Sequence, residues 1–416
     1  MIHSVKGMRD ILPPSSAVWN QVETCARRIF KRFNYREIRT PILEETALFA
    51  RSVGEETDIV SKEMYTFEDR DGSSLTLRPE NTASVLRAYI EHRLDQQPGL
   101  QKLYYIGPMF RRERPQKGRY RQFFQIGAEA IGSDSPAVDG EVIEMVAAIL
   151  REVGIEGFEL LINSVGSKES RARYNEALRE QLKDLAPRLC SDCRRRAETN
   201  PLRVLDCKVP EDQPIIEQLP SILEYLDAAD REHFDRVREY LNDRSIPYTV
   251  QPRLVRGLDY YARTTFEITH DALGAQNAIL GGGRYDGLAE SLGSKVPAPG
   301  IGFSIGEDRL VMTVEQTGDA GGSGLDLYIA PMGDAALRHC TLLAGDIRKL
   351  DVSVEVGTER KLKRMLEIAN KLAARFALIV GDDEIVTQSY SLKDMATGEQ
   401  DTLTRQALLE RLANSR

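Results

Sequence analysis

Three stretches of this sequence carry residues suited to holding anions. Within 102–121 stand seven basic side chains, Lys102, Arg111, Arg112, Arg114, Lys117, Arg119 and Arg121, against a single acid, Glu113. Pro115 and Gly118 break any helix there, and guanidinium groups on a rigid hairpin suit bidentate contact with phosphate oxygens. A solvated surface loop is the alternative. The Tyr and Phe residues of the flanking strands favour the anion-binding reading. The second stretch, 300–310, alternates glycine along a strand and then runs into a helix whose first turn holds Arg309. A helix N-terminus with an arginine is an anion site, and equally an ordinary surface arginine. The third, 254–261, sets Arg256, Tyr260 and Tyr261 around Gly257. Such a cluster positions a small polar ligand or simply turns over a core.

Other motifs exclude chemistry. Gly281-Gly282-Gly283-Arg284-Tyr285-Asp286-Gly287 departs from G-x-G-x-x-G and has no Walker lysine, so neither a dinucleotide fingerprint nor a P-loop is supported. Its glycines signal close backbone approach to a ligand or another chain. Cys190-x-x-Cys193 with Cys207 supplies three parts of a zinc site. No fourth ligand stands at suitable spacing, since His233 is distant, so reduced thiols and no bound metal are expected. His-Glu-x-x-His and Gly-x-Ser-x-Gly are both absent, and five histidines give little basis for metal or triad chemistry.

The elements that must position these residues follow from periodicity. Residues 15–33 read as a helix, with Val18, Val22, Ala26, Ile29 and Phe33 at three- or four-residue spacing and Ser15 or Ser16 as N-cap. The 35–42 stretch reads as a strand that Pro41 confines to an edge or an interface. A hairpin spans 65–67 and 75–77, a helix 80–92, and strands at 103–107 and 122–126 flank the charged loop. A helix over 139–153 and a strand over 158–163 precede a charge-rich, mostly helical stretch. Strands return at 264–269, 277–281 and 300–305, before a helix from about 307. After a linker with four glycines in nine residues, 316–324, strands at 326–330, 352–356 and 377–380 alternate with helices at 334–350 and 359–375, and a last helix closes the chain. Such alternation reads as a small α/β domain.

Length and charge bound the rest. The chain has 416 residues, 41% of them hydrophobic, and a net charge of -8. Two or three domains are expected, and a uniformly basic coat protein is excluded, although a local basic patch is not. Such a patch stands at 360–375, where Arg360, Lys361, Lys363, Arg364, Lys371 and Arg375 face Glu367 alone. It reads as an RNA-backbone contact or as a solvated helix face. No apolar run approaches the ~20 residues of a membrane span. Five cysteines, few and odd in number, suggest a reducing, cytoplasmic setting.

Taken together these segments resemble the histidyl-tRNA synthetases, class II aminoacyl-tRNA synthetases of bacterial type, over nearly the whole chain. Lys6-Gly7-Met8-Arg9-Asp10 resembles the family's N-terminal signature, and the helix and strand ending at Pro41 its motif 1. Phe110-Arg111-Arg112-Glu113-Arg114-Pro115 resembles motif 2, and 300–310 motif 3. Arg256-Gly257-Leu258-Asp259-Tyr260-Tyr261 and the triple-glycine block are more specific to the histidine enzymes, and Leu77-Arg78-Pro79-Glu80 adds to them. Two departures are Asn81, where the family usually has Gly, and the Glu307-Asp308 pair, where one acid is more usual.

The resemblance implies an α+β catalytic domain with an antiparallel sheet of the class II synthetase type, a helical insertion, and a C-terminal α/β anticodon-binding domain. The boundaries expected are 1–167 and 246–316 for the catalytic core, 168–245 for the insertion, 317–324 for the linker and 325–416 for the anticodon-binding domain. It implies ligation of L-histidine to tRNA(His) through a histidyl-adenylate, with ATP and Mg²⁺, in a cytoplasmic homodimer with no membrane or DNA partner. It assigns Arg111 and Arg256 to catalysis and Arg111, Glu113, Arg119, Arg121 and Arg309 to ATP. Glu80, Thr82 and Gln125 would hold the substrate's ammonium. Glu129, Tyr260, Tyr261 and Tyr285 would surround the imidazole. Three rivals stand beside this reading: a catalytically inert regulatory paralogue, which would lack the C-terminal domain and erode the arginines; a class II synthetase for proline, threonine or glycine; and an RNA-binding module without catalysis.

Overall fold

The structure, a computed structural model, describes residues 2–54, 57, 59–116, 118–274, 277–317 and 324–414. Lys117 and residues 318–323 of the glycine linker lie outside the described residues. The chain divides into two compact units, 1–320 and 321–416.

The first unit is built on an eight-stranded sheet. Its strands run in the order Arg36–Glu37, Gln101–Phe110, Gln122–Ile131, Gly300–Gly306, Ala278–Arg284, Ala262–Thr269, Glu159–Ser164 and Thr249–Val250. The centre is antiparallel as expected, but both end pairs are parallel. These end strands are two residues long and arrive from crossover connections, which short sequence windows cannot reveal. The 35–42 stretch pairs over Arg36–Glu37 alone and does lie at an edge.

Alternation along the strands sorts the sheet into two faces. On one, Ile126, Ala128, Ala130, Phe266, Ile268, Ile301, Phe303 and Ile305 join the main core. Helices Ser15–Arg32, Pro136–Glu152, Ala228–Asp243 and Glu307–Thr317 bring residues to that core. Ser15 is the first helical residue rather than a cap: Pro14 occupies the cap position, and the Ser15 hydroxyl donates to Glu315 at 2.8 Å. On the other face, helix Thr82–Glu91 and the segment around Tyr285 form a smaller core.

The stretch expected as one helical insertion divides between two cores. Residues of 165–222 pack together with Val255 and Tyr261. Helix Ala228–Asp243, by contrast, puts Phe234, Val237 and Leu241 into the main core. Arg284, fully buried, ties this region to the sheet. Its guanidinium donates to Asp139 and to Asp286, each at 2.8 Å, and His233 lies 2.9 Å from the other Asp139 oxygen.

The second unit has a five-stranded sheet in the order Val354–Val356, Leu327–Pro331, Phe376–Val380, Ser389–Asp394 and Gln400–Thr404. The first three strands are parallel, as the alternating pattern predicts; the last two are an antiparallel addition that it misses. Ser389–Asp394 buries only Tyr390 and Leu392, a two-residue signal in an otherwise polar stretch. Helix Leu362–Lys371 buries Met365 and Ala369 and leaves Lys363, Arg364 and Lys371 exposed.

Candidate active site

The triple glycine lies in a central strand, Ala278–Arg284, which runs past the strand expected at 277–281. The reason for its glycines is steric. A Cβ at Gly281 would overlap the Arg256 guanidinium. One at Gly283 would stand 2.8 Å from the Tyr261 ring and 2.6 Å from the Thr264 carbonyl oxygen. Gly302, on the neighbouring strand, has no Cβ because the Glu129 carboxylate fills its place. These glycines leave room over the sheet for side chains that arrive from other strands and loops.

Register arranges the site in rows across the sheet. Glu129, Gly302, Gly283 and Thr265 pair side by side in one row; Gly127, Ser304, Gly281 and Glu267 form the next, two residues away on the same face. In the first row Glu129 is 1% exposed and accepts from Tyr285 Oη and Thr82 Oγ1, each at 2.7 Å. Burial pushes its carboxyl up to about 8, against the two hydrogen bonds. The tyrosines gather beside it. Tyr260 and Tyr261 rings lie 4.8 Å apart, and Tyr260 meets Tyr285 edge-on at 6.0 Å. In the second row Arg256 makes a short ion pair with Glu267. Arg309 lies further along the same strand, where its Nη1 donates to the Ala278 carbonyl at 2.7 Å.

A polar cavity of 130 Å³ opens between these groups, lined by Glu80, Thr82, Gln125, Arg111, Arg256, Tyr260, Tyr261 and Tyr285 among others. Glu80 is 3% exposed; its carboxylate accepts from the Thr82 and Ala83 amides at 2.7 and 3.1 Å, at the start of helix Thr82–Glu91. Burial raises its pKa. The Thr82 hydroxyl is a donor to Glu129, so only its lone pairs face a ligand. Gln125 Oε1 and Arg256 Nε are buried without a protein partner. Arg111 is held by the Pro79 carbonyl at 2.9 Å and lies over the Phe123 ring.

The charged loop covers the Arg309 end. Glu113 and Arg119 pair at 3.3 Å, and Gly118 approaches the Arg309 side chain. Burial, and then Arg119, lower the Arg309 pKa. Arg121 is tied to the N-terminal segment: its backbone amide donates to the Gly7 carbonyl at 2.7 Å, and its side chain donates to the carbonyls of Lys6 at 3.4 Å and Glu113 at 3.3 Å.

Three residues of this machinery escaped the sequence reading of individual roles. Glu267, opposite Arg256, alternates with Phe266 and Ile268, and that alternation was the available signal. Arg9 donates to Asp308 at 2.8 Å and lies 4.2 Å from the Tyr120 ring, which binds the N-terminal signature to motif 3. Asp308 also accepts from the Phe124 amide at 2.9 Å. The second acid of the pair, Glu307, is fully buried, and burial together with Glu23 and Asp308 raises its carboxyl to about 9. Asn81 turns away from Glu80: its Oδ1 accepts from Thr40 at 2.6 Å and from Arg78 at 3.2 Å.

An antiparallel sheet with arginines above it and a separate mixed α/β unit is the class II aminoacyl-tRNA synthetase architecture. The family described as Histidyl-tRNA synthetase matches residues 7–310, and the Anticodon binding domain matches 326–415. The chain is 69% identical over 412 residues to a histidine–tRNA ligase of Solibacter usitatus, covering 99% of each, and 57% identical to one of Koribacter versatilis, covering 98% of this chain and 95% of the relative. The crystal structure of apo Staphylococcus aureus histidyl-tRNA synthetase superposes with a TM-score of 0.83 at 39% identity over the whole of both chains. The chain belongs to the histidyl-tRNA synthetase family.

Proposed function

We infer that this protein is a histidine–tRNA ligase that activates histidine with ATP and transfers it to tRNA(His). The observation that carries the reading is the linear order of side chains over strand Ala278–Arg284: Tyr261 and Glu129 at Gly283, Arg256 at Gly281, Arg309 at Ala278. At about 3.4 Å per residue the three stations span ~17 Å, the length of an amino acid laid end to end with a triphosphate. The imidazole sits by Glu129 and the tyrosines, and its ammonium by Glu80 and Gln125. Arg256 and Arg111 face the carboxylate and the α-phosphate, and Arg309 holds the far phosphates under the 111–121 loop.

Adenylation needs no general base, because its nucleophile is already a carboxylate. The histidine carboxylate attacks the α-phosphorus, the bond to the bridging oxygen breaks, and pyrophosphate leaves. Negative charge builds on the α-phosphate oxygens, and guanidinium groups fixed beforehand by Glu267 and by backbone carbonyls stabilise it without reorganising. The terminal ribose hydroxyl of tRNA then attacks the acyl carbon, its proton passes to a phosphate oxygen of the departing AMP and on to solvent, and the acyl–phosphate bond breaks to release AMP. The family uses ATP with a divalent metal. We take that metal as Mg²⁺, entering as part of the ATP substrate; Glu113 and Glu267 offer the hard oxygen donors such an ion accepts.

The second unit reads the anticodon in this account, through its exposed basic helix, and the linker 317–324 joins it to a catalytic unit interrupted by the 168–245 insertion. Two copies act as a homodimer. A surface groove lined by Pro41, Leu48, Arg87, Ile90 and Leu292, beside exposed Ile42 and Leu43, supports this reading. Among the described residues no helix is long and apolar enough to cross a membrane; with five free thiols this favours the cytoplasm. ATP–pyrophosphate exchange with each of the twenty amino acids tests the assignment. Exchange dependent on histidine alone is expected, and exchange with another amino acid, or none, refutes it.

A further inference from the structure

Cys190, Cys193, Cys207 and Asp212 come together in the 165–222 core. One ligand atom from each lies within 4.8 Å of those of the other three. The Cys190 and Cys207 sulfurs are 4.0 Å apart, and Cys207 Sγ is 3.1 Å from Asp212 Oδ2. A tetrahedral zinc ion with bonds of about 2.3 Å to sulfur has sulfur–sulfur edges of ~3.8 Å, so the donors need only small rotations to close on one ion. Cysteine and histidine spacing alone gives no fourth ligand; the fold supplies a carboxylate, Asp212.

The local structure builds this cluster. Cys190 precedes helix Ser191–Thr199 and Cys193 lies in its first turn, the arrangement that lets a Cys-x-x-Cys pair face one point. Cys207 follows the 3₁₀ segment Pro201–Asp206, and Asp212 ends the next one, Pro210–Asp212. Asp212 is 1% exposed and Cys193 fully buried. The Asp212 carboxylate accepts from the Cys190 amide at 3.0 Å, and among the described residues no lysine or arginine pairs with it. A buried carboxylate surrounded by thiols is costly unless a cation compensates it.

We propose that Cys190, Cys193, Cys207 and Asp212 bind one zinc ion in a closed tetrahedral site. Three thiolates select zinc over magnesium or calcium. Four protein ligands leave no open position, so the site is structural. On binding, each cysteine thiol releases its proton to solvent and the sulfur donates its lone pair to the metal. The ion clips the 190–212 segment, which carries Asn200 and Arg203. Arg203 donates to the Gly257 carbonyl at 2.6 Å and Asn200 to Asp259 at 3.3 Å. The clip therefore props the loop that presents Arg256.

The test uses the full chain purified under reducing conditions without chelator. Elemental and native mass spectrometry are expected to find one zinc per chain. Exchange with Co²⁺ is expected to give the charge-transfer and d–d absorption of a tetrahedral three-thiolate site. Cys207→Ser should lose the metal, and the near-isosteric Asp212→Asn should bind Co²⁺ at least tenfold more weakly, with an altered spectrum. Asp212→Asn decides the matter if Cys207→Ser fails to fold. Reduced, folded protein that neither holds zinc nor takes up Co²⁺ overturns the proposal. So does a Cys190–Cys207 disulfide in freshly prepared protein, or an Asp212→Asn variant that binds as wild type does. Zinc-stripped protein should also show a raised histidine KM with ATP KM unchanged. That consequence rests on the histidine site proposed above, whereas the metal content does not, so the two can fail separately.

Discussion

Glu129→Gln should change how histidine binding depends on pH. With its carboxyl at about 8, Glu129 is roughly 90% protonated at pH 7. A protonated carboxyl facing a neutral imidazole holds the same single proton as a carboxylate facing an imidazolium. Binding between about pH 7 and 8 therefore needs no net proton exchange with solvent. Above about pH 8 both partners are deprotonated when free, and a proton must be taken up, so the histidine KM should rise about tenfold for each further pH unit. Gln keeps the shape but has a single amide oxygen for one of the two hydroxyls, Thr82 or Tyr285, the other having to accept from its NH2, and it cannot carry the proton. At pH 7 the variant should lose a hydrogen bond to a charged group, about 2 kcal/mol or ~30-fold in histidine KM. Its KM above pH 8 should retain only the slope due to the substrate's own ammonium group. Histidine-dependent pyrophosphate exchange at saturating ATP, from about pH 6.5 to 9.5, measures both curves, with ATP KM as control. Parallel curves for the two proteins, or an unchanged KM at pH 7, would refute the shared proton.

Arg256→Ala should lower adenylation kcat by about 10²-fold with smaller changes in KM; because Glu267 is then left without its cation, Arg256→Ala/Glu267→Gln should melt higher than the single variant and remain as slow. A double variant that regains turnover would make Arg256 structural. Glu307→Gln should raise the melting temperature at pH 8: the folded state holds a proton between about pH 4.3 and pH 9 that the unfolded chain releases, so stability is full below that window, falls as pH rises through it, and at pH 7 is lower by on the order of 3 kcal/mol. Equal melting temperatures of the two proteins at pH 5 and pH 8 would contradict this. Arg284→Ala leaves Asp139 buried without its guanidinium and should cost about 3–5 kcal/mol, read from urea unfolding; a loss within 1 kcal/mol of wild type, roughly the scale of a surface change, would show that the network is not a buried ion pair. Deleting 324–416 should leave histidine-dependent pyrophosphate exchange largely intact and weaken tRNA charging, and charging at the full-length rate would remove the anticodon role.

What could be read in the sequence follows the range of the interactions involved. Strand Gln122–Ile131 was legible over 122–126, where Phe124 and Ile126 flank Gln125; its continuation, in which Ala128 and Ala130 alternate with Glu129, was not, since alanine leaves a weak apolar signal. The three parallel strands of the second unit were legible for another reason: Leu327–Pro331 and Phe376–Val380 are buried almost throughout and stand out as short apolar runs between helices. The edge strand Arg36–Glu37 was legible through Pro41, though it pairs over two residues of the stretch expected at 35–42; the addition Ser389–Asp394 was not, since it buries too little apolar surface to leave a period. The triple glycine shows the limit most clearly. The close approach its glycines imply is real: Arg256, Phe266 and Tyr261, distant in sequence, occupy the space of the missing Cβ atoms. Composition reports that something approaches closely, but only the register says what. The same limit hid Glu267 as the partner of Arg256 and Asp212 as the fourth member of the thiol cluster. In both cases a carboxylate far from the motif in pattern is brought to it by the fold, and its charge decides the chemistry there. A site residue that acts on its ligand leaves a motif, whereas one that balances another residue's charge is visible only once the two lie side by side.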